Sequence, residues 1–120
     1  MKVHSIDHVQ LAIPPGQEDR ARDFYVDILG FTEAPRPEPL SERKGAWFTS
    51  GNANIHVGVE NDFRPALKAH PALVVDGLDE VIKRCEIAGL PVTPAEELTG
   101  WRRVHISDPF GNRIELMEKT

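Results

Sequence analysis

The chain contains little cysteine, no long apolar run and no excess of basic residues. Its only cysteine, Cys85, excludes an internal disulfide and a cysteine-based structural zinc site. No stretch approaches the roughly 18 apolar residues of a membrane-spanning helix, and the first eight residues lack the apolar core of a signal peptide. The net charge of −5 is spread along the chain, which excludes a basic stripe for nucleic acid. We therefore expect a cytoplasmic protein that binds neither membranes nor nucleic acids.

The composition is that of a globular protein. Apolar residues make up 40% of the 120 residues and charged residues 28%. This length is enough to bury one core but not two independent ones. We expect a single domain over residues 1–120.

The first half of the chain predicts a strand, a helix and three further strands. Alternating residues predict a strand over 6–13. Apolar residues at helical spacing between Glu18 and Leu29 predict a helix that ends at Gly30. The remaining strands are predicted over residues 31–35, 45–50 and 53–60. Gly51-Asn52 predicts a hairpin turn between the last two strands, and residues 36–44 are predicted to form a loop.

The second half repeats this order. A helical stripe over residues 78–88 ends at Gly89, and the turn-forming residues 108–112 join the last two strands. The predicted strands are 70–75, 90–92, 101–107 and 113–118. The fold is therefore predicted to be α+β, with two tandem βαβββ units at about 5–60 and 68–118.

Landmark spacings support the repeat. Gly30 and His56 are 26 residues apart, and so are Gly89 and Glu115. The distance from the first histidine to the capping glycine is 22 residues in the first half, from His8, and 19 in the second half, from His70. His8 is therefore equivalent to His70, and His56 is equivalent to Glu115.

Repeat-equivalent positions thus hold three histidines and a glutamate. Imidazole and carboxylate groups are suitable ligands for zinc, nickel, manganese, cobalt or iron, and strands hold such ligands rigidly. A lone histidine on a strand is more often solvated or buried than ligating, but four potential ligands at related positions favour a site. The sequence predicts one divalent metal ion on His8, His56, His70 and Glu115.

Two further residues are candidates for catalysis. His105 lies ten residues before Glu115 on the neighbouring predicted strand, and Arg103 shares its face. They are predicted to serve as a general acid or base and as an anion anchor. The alternative is a half-exposed strand on which Arg103 pairs with surface acids. Trp47, Trp101 and Phe110 are candidates either for cavity walls or for ordinary packing.

Three segments carry a family resemblance: residues 6–12 (IDHVQLA), residues 21–31 (ARDFY with LGF) and residues 108–116 (DPFGNRIEL). They resemble the vicinal oxygen chelate superfamily, which includes glyoxalase I, extradiol dioxygenases, fosfomycin-resistance thiol transferases and bleomycin-resistance proteins. The resemblance implies a cupped mixed sheet around a cavity, with metal ligands at His8, His70 and Glu115. The position of His56 is often glutamate in glyoxalases and is not a ligand in the fosfomycin-resistance and dioxygenase branches.

The resemblance leaves several functions open. The first is a metal-dependent enzyme that acts on a small oxygen-bearing substrate, with lyase, isomerase or conjugating chemistry ahead of dioxygenase chemistry. In this reading His56 becomes a base if the substrate displaces it from the metal. The alternatives are a metal-free binding protein that sequesters a drug or metabolite, and a partner subunit with a vestigial site. No organic cofactor is predicted.

The resemblance also implies a homodimer. The cleft could form in two ways, either between the two halves of one chain or between halves of two chains in the dimer. If the halves exchange partners, His8 and His56 of one chain meet His70 and Glu115 of the other.

Overall fold

The computed structural model describes residues 1–37 and 44–120, which form two four-stranded sheets and two helical segments. The elements of the first half are β1 (Val9–Ile13), α1 (Glu18–Arg22), β2 (Thr32–Ala34), β3 (Ala46–Ser50) and β4 (Ala53–Val59). Those of the second half are β5 (Ala72–Val74), α2 (Leu78–Ile87), β6 (Val92–Pro94), β7 (Trp101–Ser107) and β8 (Arg113–Lys119). The predicted α+β architecture with two βαβββ units is confirmed. Most of the predicted loop 36–44 lies outside the described residues.

Both sheets have the same strand order. The first sheet runs β1-β4-β3-β2 and the second runs β5-β8-β7-β6. The first and last strands of each unit are parallel neighbours, whereas the other pairs are antiparallel. This order places His8 near His56 at one sheet and His70 near Glu115 at the other.

The first helix departs from α geometry. After α1 the chain continues as a π-helical segment over Asp23–Ile28, and Leu29 N–H donates to the Phe24 carbonyl five residues back. Neighbouring Phe24 and Tyr25 are both fully buried on this wider turn. Gly30 ends the segment with φ of 79°, as the sequence predicted. None of the helices in the described parts of the chain is long and apolar enough to cross a bilayer.

Three strands begin two or three residues later than predicted. β1 begins at Val9 because the Asp7 carbonyl accepts a hydrogen bond from the Asn54 side chain instead of continuing the ladder. β5 begins at Ala72 because Pro71 has no N–H to donate. β6 begins at Val92 because Leu90 N–H is still bonded to the end of α2. His8 and His70 therefore lie just ahead of the strands on which they were predicted.

Strand alternation separates the core from the opposite sheet face. Ile55 and Val57 on β4, and Ile114 and Leu116 on β8, point into one core shared by both halves. The rest of the core consists of Leu11, Ile13, Ala21, Phe24, Tyr25, Phe31, Ala46, Phe48, Leu78, Val81, Cys85 and Ile106. His56 and Glu115 alternate with these residues, so both side chains lie on the other face.

A buried polar network joins the two halves. Asn112 donates to the Ala12 carbonyl of β1 (2.8 Å) and to Asp108 Oδ2 (2.9 Å), and it accepts from Ala66 N–H (2.9 Å). The Tyr25 hydroxyl also donates to Asp108 Oδ2, at 3.1 Å. Burial raises the pKa of Asp108, and hydrogen bonds from Asn112, Phe110 N–H and Tyr25 oppose part of that effect. The network fixes the β7–β8 turn against the first half of the chain.

Candidate metal site

The second sheet carries a compact group of potential metal ligands, here called the donor cluster: His70, His105 and Glu115. One ligand atom from each residue lies within 4.8 Å of the other two. Glu115 stands on β8, His105 is its cross-strand partner on β7, and His70 lies just before β5. His70 Nε2 is 3.2 Å from Glu115 Oε1, and His105 Nε2 is 3.7 Å from the same oxygen.

The orientation of His70 directs its Nε2 atom at Glu115 Oε1. Its Nδ1 lies 2.7 Å from the Lys68 carbonyl oxygen, which can only accept, so Nδ1 carries the proton. In the neutral ring Nε2 is then an acceptor that faces the Glu115 carboxylate, which is another acceptor. Such a contact needs either a second proton on His70 or a cation between the two atoms.

Arg103 binds Oε2, the second oxygen of the Glu115 carboxylate. Its Nη1 donates to Glu115 Oε2 at 3.0 Å, and Nη2 donates to the Glu96 carbonyl. The Glu115 side chain is 9% exposed. Burial by itself raises the pKa of Glu115, but hydrogen bonds from Arg103 and His70 and the nearby charges outweigh it and lower this pKa. The carboxylate is therefore ionised, with Oε1 directed at the two imidazoles.

The first sheet carries a different arrangement, here called the ring stack: Trp47, His56 and His8. The rings of Trp47 and His56 are parallel within 7° with centroids 4.2 Å apart, and those of His56 and His8 are within 14° at 4.0 Å. His8 Nδ1 lies 2.9 Å from Asp7 Oδ2, which leaves Nε2 directed away from that carboxylate. Burial, and then the charge of His8, lower the pKa of His56.

Two clefts adjoin these groups. One, of about 590 Å³, lies between the starts of β1 and β5 and has both His8 and His70 in its lining. The other, of about 600 Å³, is lined by His8, Trp47 and His56 on the open face of the first sheet. Trp101 and Phe110 line neither cleft; Phe110 instead packs against Phe63 and the Arg20 guanidinium.

The structure brings the predicted site residues together in two groups. Glu115 joins His70 and also His105 and Arg103, while His8 joins His56. The four predicted ligands do not form a single cluster within one chain, because His8 and His56 lie outside the donor cluster. Arg103 pairs with buried Glu115 rather than with surface acids.

Sequence reasoning missed the contacts that orient the imidazoles. Asp7 precedes His8 directly, so an acidic neighbour was a visible signal for that contact. The Lys68 carbonyl left no trace in the sequence because any residue supplies the same group. The ring stack of Trp47 and His56 depends on cross-strand register, which the sequence did not specify.

Comparisons with known proteins agree with the fold. The family model for the Glyoxalase/Bleomycin resistance protein/Dioxygenase superfamily matches residues 5–116. A glyoxalase family protein from Bacillus anthracis is 45% identical, with a TM-score of 0.91 over 100% of this chain and 98% of that one. One from Enterococcus faecalis is 27% identical, with a TM-score of 0.66 over 95% and 97%. The fosfomycin resistance protein FosX from Listeria monocytogenes is 18% identical, with a TM-score of 0.75 over 99% and 94%, and shares the fold. No curated protein matches the chain significantly.

Proposed function

The chain belongs to the glyoxalase/bleomycin resistance protein/dioxygenase superfamily, and on that premise we propose that it is a divalent-metal-dependent enzyme. Its substrate is a small molecule that presents one or two oxygen atoms to the metal. Lyase, isomerase or conjugating chemistry is proposed ahead of dioxygenase chemistry. We propose that the enzyme is cytoplasmic. The reducing environment there keeps its single cysteine, the buried Cys85, in the thiol form.

The contact between His70 and Glu115 carries this proposal. His70 Nε2 and Glu115 Oε1 face one another at 3.2 Å, and in the neutral form of the imidazole both atoms are acceptors. The Lys68 carbonyl holds His70 Nδ1, and Arg103 holds Glu115 Oε2. Two donors bound to one tetrahedral zinc at about 2.0–2.1 Å lie about 3.3 Å apart. The separation of these two donor atoms therefore matches that of two ligands on one divalent ion.

We propose that His8 reaches this ion from a second copy of the chain. His8 resembles its repeat equivalent His70, since in each ring Nδ1 is held by an acceptor and Nε2 points away from that acceptor. Within one chain His8 lies outside the donor cluster. A two-fold dimer that places the first sheet of one chain against the second sheet of its partner would form two identical composite sites. This arrangement favours the homodimer over a cleft within one chain.

The side chains around the ion have separate tasks. A bound divalent ion would stabilise the negative charge that develops on substrate oxygens. Arg103 fixes Glu115 so that only Oε1 is presented. Trp47 and His56 line the cleft beside His8 of the same chain and supply part of its wall for the substrate.

A metal-free binding protein is the second candidate, and the ring stack favours it. The two ends of the stack are the outer faces of Trp47 and His8, against which a planar drug or metabolite could stack without a metal ion. Such a protein would keep its affinity after all metal had been removed. Binding assays on chelated protein therefore separate the two candidates.

Metal analysis tests the enzyme proposal. Protein purified without a metal-affinity tag should contain close to one divalent ion per chain by plasma mass spectrometry. The variants His70→Ala and His8→Ala should lose it, whereas His4→Ala, which removes an exposed histidine near the amino end, should retain it. A wild-type protein that holds no metal and takes up none of the five candidate ions would refute the proposal. Equal metal content in His70→Ala and wild type would refute the assigned site.

A further inference from the structure

Three equivalent positions in the two sheets hold side chains of different chemistry, and these positions are here called the frame. In the first sheet Trp47 is the cross-strand partner of His56, and His8 lies alongside. In the second sheet His105 is the cross-strand partner of Glu115, and His70 lies alongside. By register, His105 is therefore the repeat equivalent of Trp47.

The second sheet fills this frame with three metal donors. His105 Nε2 is 3.7 Å from Glu115 Oε1, close to the separation of about 3.3 Å expected for two donors on one tetrahedral ion. The rings of His70 and His105 are 75° apart at a centroid distance of 5.3 Å, so they approach the oxygen from different directions. The His105 side chain is 22% exposed, so its ring is held among these neighbours.

The first sheet cannot assemble an equivalent set. The Trp47 indole N–H is a donor without an available lone pair, so this nitrogen cannot coordinate a metal ion. His56 is covered on one face by Trp47 and on the other by His8, and no carboxylate occupies the position that Glu115 has in the second sheet. In the first sheet these positions hold the stacked rings of Trp47, His56 and His8 instead of a set of metal donors.

We propose that His105 is a metal ligand and that His56 is not, so that one chain contributes His70, His105 and Glu115 to each ion. This inference rests on the proposed metal-dependent function and changes its ligand set. His105 lies on β7, outside the first-strand and last-strand positions from which the family resemblance takes its ligands. The second repeat is then the metal-binding half, and the first repeat supplies His8 and the stacking surface.

Matched glutamine variants test this assignment. His105→Gln and His56→Gln each replace one imidazole by a neutral amide, and cobalt(II) serves as the probe ion. We expect His105→Gln to weaken cobalt binding by more than about 100-fold, beyond the usual effect of losing an outer-shell contact. We expect His56→Gln to weaken cobalt binding by no more than the roughly 10–100-fold of a lost outer-shell contact, because its ring packs on the ligand His8. Calorimetric titration measures the affinities, and circular dichroism checks that each variant is folded.

X-ray absorption spectroscopy supplies a readout independent of affinity and activity. Cobalt-loaded His56→Gln should show the same number of coordinated imidazoles as wild type, and His105→Gln should show one fewer. If His105→Gln does not fold, an imidazole count that falls by one in His56→Gln overturns the assignment, and an unchanged count supports it.

The failures of the two proposals are distinguishable. Unchanged affinity and imidazole count in His105→Gln would overturn this inference while leaving the metal-dependent function intact. Wild-type protein that binds no cobalt would overturn both.

Discussion

Truncation of Asn112 should destabilise the protein by about 3–5 kcal/mol. The side chain is 1% exposed and makes three hydrogen bonds, to the Ala12 carbonyl, Asp108 Oδ2 and Ala66 N–H. The three bonds contribute about 1 kcal/mol each net, and leaving the part-buried Ala12 carbonyl and Ala66 N–H without this partner costs up to about 2 kcal/mol more. Because native proteins are stable by about 5–15 kcal/mol, Asn112→Ala should lose a large share of the total.

Equilibrium urea unfolding, followed by tryptophan fluorescence, measures this loss. Asn61→Ala, which truncates an exposed asparagine in a turn, is the control and should change the free energy of unfolding by less than about 0.5 kcal/mol. Asn112→Asp preserves the size of the side chain but places a carboxylate against Asp108 and the Ala12 carbonyl, so it should be as damaging at neutral pH. A loss below about 1 kcal/mol in Asn112→Ala would refute the reasoning from buried hydrogen bonds.

Three more predictions concern neighbouring contacts. Arg103→Met should weaken metal binding by about 10–100-fold, because Glu115 Oε2 loses its partner. Arg102→Met is the control, since Arg102 pairs with the exposed Asp79, and it should leave metal binding unchanged. Equal affinities of the two variants in calorimetry would contradict this prediction. Glu118→Ala should cost about 1–2 kcal/mol in urea unfolding, because Oε2 accepts from two N–H groups at the start of α2; no loss would show that solvent replaces the cap. Because the pKa of Asp108 is raised in the fold, its contribution to stability is complete below its unfolded value of about 3.9 and is lost as pH rises through the folded value. Asp108→Asn should therefore lose less stability than wild type as the pH rises from about 4 through the folded pKa of Asp108, and parallel urea profiles would contradict the shift.

Metal addition gives a stability readout for the site itself. An ion that binds the folded protein alone stabilises it by about 2.7 kcal/mol at a concentration one hundred times its dissociation constant. Wild type and His56→Gln should therefore show a higher urea midpoint with added cobalt, and His105→Gln should show a smaller increase at the same concentration. Equal increases in all three proteins would argue against ligation by His105.

The repeat and the secondary structure were largely predictable because they depend on local patterns. Helical spacing with Gly30 and Gly89 at the ends marked both helices, and Gly51-Asn52 marked the β3–β4 hairpin. The π-helical segment was not predictable, since it depends on packing Phe24 and Tyr25 into the same core. The late starts of β1 and β5 depend on one side-chain hydrogen bond and one proline in a ladder position.

The candidate site was predicted in part. The sequence identified His8, His56, His70 and Glu115 as repeat-equivalent positions, and it identified His105 and Arg103 as residues on the same face as Glu115. It could not tell which of these side chains converge, because convergence depends on strand register and on the order of strands in each sheet. Register places His105 beside Glu115 and Trp47 beside His56.

By itself the sequence determined the fold class, the tandem repeat and the residue types available for metal binding. Periodicity, turn residues and landmark spacing are local properties, so they can be recognised without knowing any tertiary contact. The tertiary structure decided how those residues divide: three donors gather at the second sheet, and three rings stack at the first. The physical reason is that a metal site requires donor atoms within a few ångströms of a single point, and only the pairing of distant strands sets those distances.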